Sequence, residues 1–182
     1  MSKTFTYEEL YPVFNPATDG YQMPGELLIG EEHHVSVLAF QMGHAAMQAK
    51  GTRCPCCGQH AQIYRRMIYK KMARGLYWLV REFKRRIEME GNDDYINLKD
   101  ISTDRGGDTA KLVYWSLMVK DPTRDSYYKP TQLADDYVNG RIALPKYAYV
   151  YNGQVLGYSS ERQSFQEAAG RDFDKQDIGV PR

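Results

Sequence analysis

Apolar positions along the chain fall into two long helical patterns before any strand pattern appears. Val35, Leu38, Met42, Ala45 and Ala49 share one face of a helical repeat, which predicts a helix over 32–49 that Gly51 stops. Ile68, Met72, Leu76, Leu79, Val80, Phe83 and Ile87 form one continuous stripe. They predict a long helix from about 61 to 90, ended by Gly91-Asn92. Gly75 within it costs about 1 kcal/mol relative to Ala. Its presence predicts close approach of another element.

Beyond residue 92 the pattern shortens. Tyr95–Leu98 is a short piece, helical or extended, and 102–107 is a loop. Asp108 is a credible N-cap for a helix through Val119, with Ala110, Leu112, Val113, Trp115, Leu117 and Met118 as its apolar set. Asp121-Pro122-Thr123-Arg124-Asp125 then turns the chain between two apolar runs, which predicts a hairpin over 119–129. Thr131 caps a short helix over 132–138 that Asn139-Gly140 ends. Residues 146–151 and 154–158 flank Asn152-Gly153, and that dipeptide favours a type I′ turn because both central positions need positive φ. Ser159 or Ser160 is the expected cap of a last helix near 163–169, closed by Gly170.

The expected fold class is α+β: a mainly helical, winged-helix-like domain with β-hairpins and a cysteine turn. The expected organisation is an aromatic N-terminal arm over 1–30, a helix and cysteine-rich turn over 31–60, the winged-helix-like domain over 61–170 and a polar tail over 171–182. Prolines and glycines interrupt periodicity in the arm, while Phe5, Tyr7, Tyr11, Phe14 and Tyr21 favour packing along the domain or onto a partner.

Charge modifies this picture locally. The chain has 24 basic and 23 acidic residues among 182, so a whole-protein basic field is excluded. Nine basic residues nevertheless crowd between Arg65 and Arg86 against Glu82 alone. Such a run is most often a solvated helix face, though it could also meet phosphates or an acidic partner. No apolar run is long enough to span a bilayer. The first residues lack the apolar core of a secretory signal, so a cytoplasmic location is expected.

All 3 cysteines, Cys54, Cys56 and Cys57, lie within one turn. Cys-Pro-x-Cys-Gly is the half-site of a zinc knuckle, since Pro tightens the turn and both sulfurs can reach one metal. A closed site needs four ligands, and Cys54, Cys57, His60 and His44 could supply them. A metal-free turn with packed thiols and a redox pair are the competing readings, and two chains could share a metal.

Helix, short piece, loop, helix, hairpin and short helix is the order of winged-helix modules, in which the helix before the hairpin enters the major groove and the hairpin touches backbone. Here that helix is 108–119, and the DNA-facing candidates are Arg105, Thr109, Lys111, Lys120, Arg124 and Lys129. Arg and Asn, the best readers of base edges, are absent from the helix, and winged helices also serve as protein platforms. Two functions follow: a regulatory protein binding duplex DNA, or a non-enzymatic module binding a host or phage protein. The segment Tyr127–Tyr137 resembles the strand and Thr-x-x-Gly exit after the wing of multiple-resistance-type regulators, with Ala134 in place of Gly.

Residues 54–66, Cys-Pro-Cys-Cys-Gly-Gln-His-Ala-Gln-Ile-Tyr-Arg-Arg, with Met72–Leu79 and Tyr151–Tyr158, also resemble a group of uncharacterised phage and prophage proteins. The resemblance covers about 51–170 and implies viral origin and action in host cytoplasm, without a function. No convergent catalytic constellation is evident. Cys57 and His60 suit shared metal binding as well as catalysis, Asp93-Asp94 and Asp135-Asp136 suit capping and solubility, and Gly106-Gly107 lacks the Lys-Ser/Thr of a P-loop. A non-enzymatic role is therefore expected.

A zinc-holding turn predicts stoichiometric zinc in metal analysis of the purified chain; its absence ends that reading.

Overall fold

The sequence between Met67 and Glu90 is built to bury one helical stripe. In the computed structural model, which describes residues 52–53, 60–101, 108–151 and 153–173, helix α1 spans Lys70–Glu90. Met72, Ala73, Gly75, Leu76, Leu79 and Val80 are its buried residues, at the spacing of one helix face. Gly91 adopts φ 62° after the last turn, and the Gly91 and Asn92 amides donate to the carbonyls of Ile87 and Arg86. This left-handed cap needs a residue without a Cβ penalty.

The helix begins later than the apolar stripe predicts. Tyr64–Met67 forms strand β3 instead, following the short pair β1 (Thr52–Arg53) and β2 (His60–Ala61). The stripe is still read correctly at Ile68, which is 1% exposed just before the helix. A strand here depends on a partner some eighty residues downstream, which helical periodicity cannot register.

The chain divides into two units, one of Met1–Arg66 with Tyr147–Ser160 and one of Met67–Lys146 with Glu161–Arg182. The predicted arm, the predicted helix over 32–49, Cys54–Gln59, the loop containing Arg105 and most of the predicted tail lie outside the described residues. Among those described, α and β elements are mixed, so the expectation of a mainly helical domain gives way to a mixed fold of α1, four shorter helices and small antiparallel sheets.

In the second unit, α1 is followed by β4 (Ile96–Asn97), α2 (Leu98–Ile101), a 3-10 helix (Thr109–Trp115), β5 (Met118–Lys120), β6 (Tyr127–Pro130) and α3 (Gln132–Val138). The sheet order is β4–β6–β5, all antiparallel, with Ile96 opposite Tyr128 and Val119 opposite Lys129. Thr131 caps α3 as expected, its hydroxyl accepting the Ala134 amide and donating to the Ser116 carbonyl at 2.8 Å. Strand β7 (Leu144–Pro145) pairs with β10 (Arg162–Gln163), and α4 (Phe165–Ala169) closes the unit. Its cap is Ser164, in a reciprocal box with Glu167. The sequence expectation placed the cap at Ser159 or Ser160, but the Ser159 hydroxyl accepts the Tyr147 amide instead.

The predicted helix over 108–119 is shorter and tighter than expected. It is a 3-10 helix that ends at Ser116, which has φ 56°. With three residues per turn, Thr109, Leu112 and Trp115 share one face, and these are its buried residues. Leu117-Met118-Val119 continues an apolar pattern but enters β5, where Met118 pairs with Pro130. Asp108 does not cap: it is already helical in φ and ψ, and its carboxylate accepts the Tyr69 hydroxyl and the Lys111 ammonium. The core gathers Leu76, Leu79, Ile96, Leu112, Trp115 and Tyr137, each 0% exposed. The Trp115 indole N–H donates to the Pro145 carbonyl at 2.8 Å, so burying the ring leaves no orphan donor.

In the first unit, β3, β8 (Tyr147–Tyr151) and β9 (Gln154–Tyr158) form a sheet in that order. Tyr151 opposite Gln154 leaves the expected two-residue loop, and Gly153 has the positive φ, 78°, that the sequence required.

Gly75 meets the expectation of close approach. A Cβ there would sit 2.9 Å from Thr109 Oγ1 and 3.0 Å from its Cγ2. Both atoms belong to a stiff β-branched side chain, so Gly75→Ala should lose stability by about 1–2 kcal/mol despite its better helix propensity. Adding Thr109→Ala should recover part of that loss. Chemical denaturation of the two single variants and the double variant measures the coupling; strict additivity would show that the contact is not limiting.

Candidate functional site

The 3-10 helix and the β5–β6 hairpin carry five of the six DNA-facing candidates, and Arg105 lies outside the described residues. Thr109 does not reach the surface: it is 6% exposed and packs on Gly75. The four basic candidates are surface residues, and each holds a carboxylate of the same unit. Lys111 pairs with Asp108, three residues away. Lys120 Nζ lies 2.8 Å from Asp125 Oδ1 across the hairpin loop. Lys129 Nζ lies 2.8 Å from Asp93 Oδ2 and 5.3 Å from the centre of the Phe83 ring.

Arg124 is the most heavily committed. Its Nε donates to Asp121 Oδ2 at 2.7 Å, and its two terminal nitrogens donate to Asp94 at 2.9 and 3.2 Å. Its guanidinium carbon also sits 4.5 Å from the centre of the Tyr127 ring. Asp121 organises the loop around it. The carboxylate is 5% exposed and accepts the Thr123 amide and hydroxyl, each at 2.8 Å, and the Arg124 amide at 3.0 Å. The Thr123 amide and hydroxyl, with Arg124, hold the Asp121 carboxyl well below the usual carboxylate range despite its burial. Arg124 likewise lowers Asp94, and Lys120 lowers Asp125.

These acids are the residues that sequence reasoning missed. The pairs Asp108–Lys111 and Asp121–Arg124 were legible in their spacing. Asp93 and Asp94 read as solubilising charges at a helix end, yet they are the counter-ions of Lys129 and Arg124, 36 and 30 residues away.

The basic run on α1 is neutralised in the same way over much of its length. Lys70 and Arg74 share Asp172, Lys84 pairs with Asp135, and Arg85 and Arg86 share Glu82. The paired Arg85 side chain leads in lowering Glu82 to a pKa of about 2.

Between the 3-10 helix and the hairpin lies a shallow cleft of about 420 Å³, lined by Val113, Met118, Val119 and Tyr128 with Lys120 and Thr131 at its edges. Met118 and Tyr128 are buried, while Val119 is 51% exposed on the edge strand β5. A wider groove of about 850 Å³ runs along α1 past Trp78 and Val138. Arg81 stacks on Trp78 there, 5.4 Å from the ring centre.

Of the zinc candidates, Cys54, Cys57 and His44 fall outside the described residues, and His60 is described through its backbone, paired with Arg53. Among the described residues no cluster of His, Cys, Asp or Glu is arranged to hold a metal, and no helix is long and apolar enough to cross a membrane. The chain matches no protein-family model, no curated protein and no solved structure.

Groups whose pKa is lowered by folding stabilise the protein above their unfolded pKa, and that stability is lost as pH falls through the folded value. Asp121, Asp94 and Asp125 all have this sign. The melting temperature should therefore fall as pH drops below about 4. Asp121→Asn should melt lower than wild type at neutral pH and lose less on acidification. A variant with the wild-type pH profile would remove Asp121 from the account.

Proposed function

We propose that the unit formed by 67–146 and 161–173 is a winged-helix-like module that docks a protein rather than duplex DNA. The winged-helix part of this reading is supported by the order of elements and by the β4–β6–β5 sheet, in which the strand preceding the second helix pairs with the far strand of the hairpin. The choice of ligand rests on one observation: all four described cations of the 3-10 helix and hairpin are ion-paired within the unit.

Affinity for duplex DNA comes largely from cations that release counterions when they meet phosphate. A lysine or arginine already held by a carboxylate must give that partner up, and the displaced Asp93, Asp94, Asp121 or Asp125 would then face phosphate. The lowered pKa of Asp94, Asp121 and Asp125 keeps them ionised at neutral pH, so protonation offers no relief. A small apolar centre at Val119 with a charge-balanced edge has the anatomy of a protein interface. The resemblance to phage and prophage proteins favours a host or phage protein as the partner.

Two measurements separate the readings. In a mobility shift at low salt, Lys120→Ala and Lys129→Ala should leave any duplex binding unchanged. In a capture experiment from host lysate, a specific partner should be retained by Lys120→Ala and lost with Val119→Asp. Steeply salt-dependent duplex binding that disappears with the two lysines returns the hairpin to a DNA-binding role.

A further inference from the structure

Among the described residues, the arginines of the β3–β8–β9 sheet are not neutralised as those of the hairpin and α1 are. The segments 52–66 and 147–160 contain Arg53, Arg65, Arg66 and His60, and no Asp or Glu. Among the described residues, Arg65 and Arg66 rest on aromatic rings and not on carboxylates. The Arg65 guanidinium carbon lies 4.5 Å from the centre of the Tyr147 ring, and that of Arg66 lies 4.6 Å from the centre of the Tyr64 ring. Arg65 is exposed.

The rest of the surface is set by strand alternation. Along β8, Tyr147, Tyr149 and Tyr151 are partly exposed, while Ala148 and Val150 between them are buried. Side chains two residues apart on a strand share a face. The three tyrosines therefore line one face with Arg65 at its end, and the opposite face carries the small packing residues. Gly157 stands opposite Tyr149 and contributes no side chain beside that ring.

We propose that the β3–β8–β9 sheet binds single-stranded nucleic acid, with Arg65 stacked on Tyr147 as one platform and Tyr149 and Tyr151 as the next. The charge selects an anion: cations without carboxylate partners are free to meet phosphates. The aromatic row selects bases, because every base has a face that stacks on a tyrosine ring or a guanidinium plane. Spacing selects a single strand. Residues two apart on a strand are separated by about 6.6 Å, roughly twice the 3.4 Å base step of a duplex strand. A row of this pitch fits bases splayed from an extended backbone and not bases held in a stack. The surface shares no residue with the 3-10 helix or the hairpin, so this inference stands apart from the protein-docking reading.

The test is fluorescence anisotropy of labelled short oligo-dT and oligo-U with the full chain at low salt. Binding should weaken as salt rises, and the matching duplex should bind at least about tenfold more weakly. Tyr149→Ala should cost about tenfold and Tyr149→Phe should retain affinity, because stacking needs the ring and not the hydroxyl. Arg65→Ala, a change at an exposed position, should weaken binding several-fold and remains informative if Tyr149→Ala fails to fold. Lys120→Ala should change nothing. The proposal is overturned by absence of oligonucleotide binding at low salt, by binding that Arg65→Ala and Tyr149→Phe leave equal while folded Tyr149→Ala is also equal, or by polyglutamate competing as well as the oligonucleotide does.

Discussion

The larger unit depends on how closely the 3-10 helix approaches α1. Thr109, Leu112 and Trp115 form one three-residue-period face. That face can lie flat on α1 only where the long helix has no side chain, and Gly75 provides the place, with Thr109 atoms where a Cβ would be. From this seat the rest follows. Trp115 reaches the Pro145 carbonyl, which ties the 3-10 helix to β7. Ser116 turns the chain through the left-handed region, and the Leu117 carbonyl accepts the Thr131 amide, which sets the start of α3. The β5–β6 hairpin is carried between these two fixed ends.

Electrostatics then distinguishes the described parts of the two units. In the larger unit, opposite charges were placed within reach of one another, some by local spacing and some by folding. Individually such surface pairs contribute little stability, with a typical range of about 0–1 kcal/mol. Their consequence is for recognition: a surface whose cations are answered by its own carboxylates has little electrostatic attraction for a polyanion. Among the described side chains of the smaller unit, Arg65 and Arg66 lie over tyrosine rings, contacts that do not neutralise the positive charge. The same residue type thus has different partners in the two units, carboxylates for Arg124 and tyrosine rings for Arg65 and Arg66.

Much of the fold was legible wherever a signal is local. The α3 helix with its Thr131 cap, the α1 stripe with its Gly91 end, and the hairpin around Asn152-Gly153 depend on residues within a turn or two of one another. Errors arose where the deciding partner is distant. Tyr64–Met67 carries residues compatible with helix, and only pairing with β8 makes it a strand. The apolar run 117–119 extends a helical pattern, but its ladder partner is 129–130. Ser159 has the chemistry of a helix cap and was claimed first by the Tyr147 amide.

By itself the sequence determined which segments bury an apolar face, where turns require positive φ, and that acids and bases nearly cancel over the whole chain. These are properties of residue type and short spacing, so they survive without knowledge of any neighbour. Tertiary structure alone decided which cation meets which carboxylate and which meets a ring. That choice depends on distances of a few ångströms between residues up to about eighty positions apart, and no local pattern encodes it.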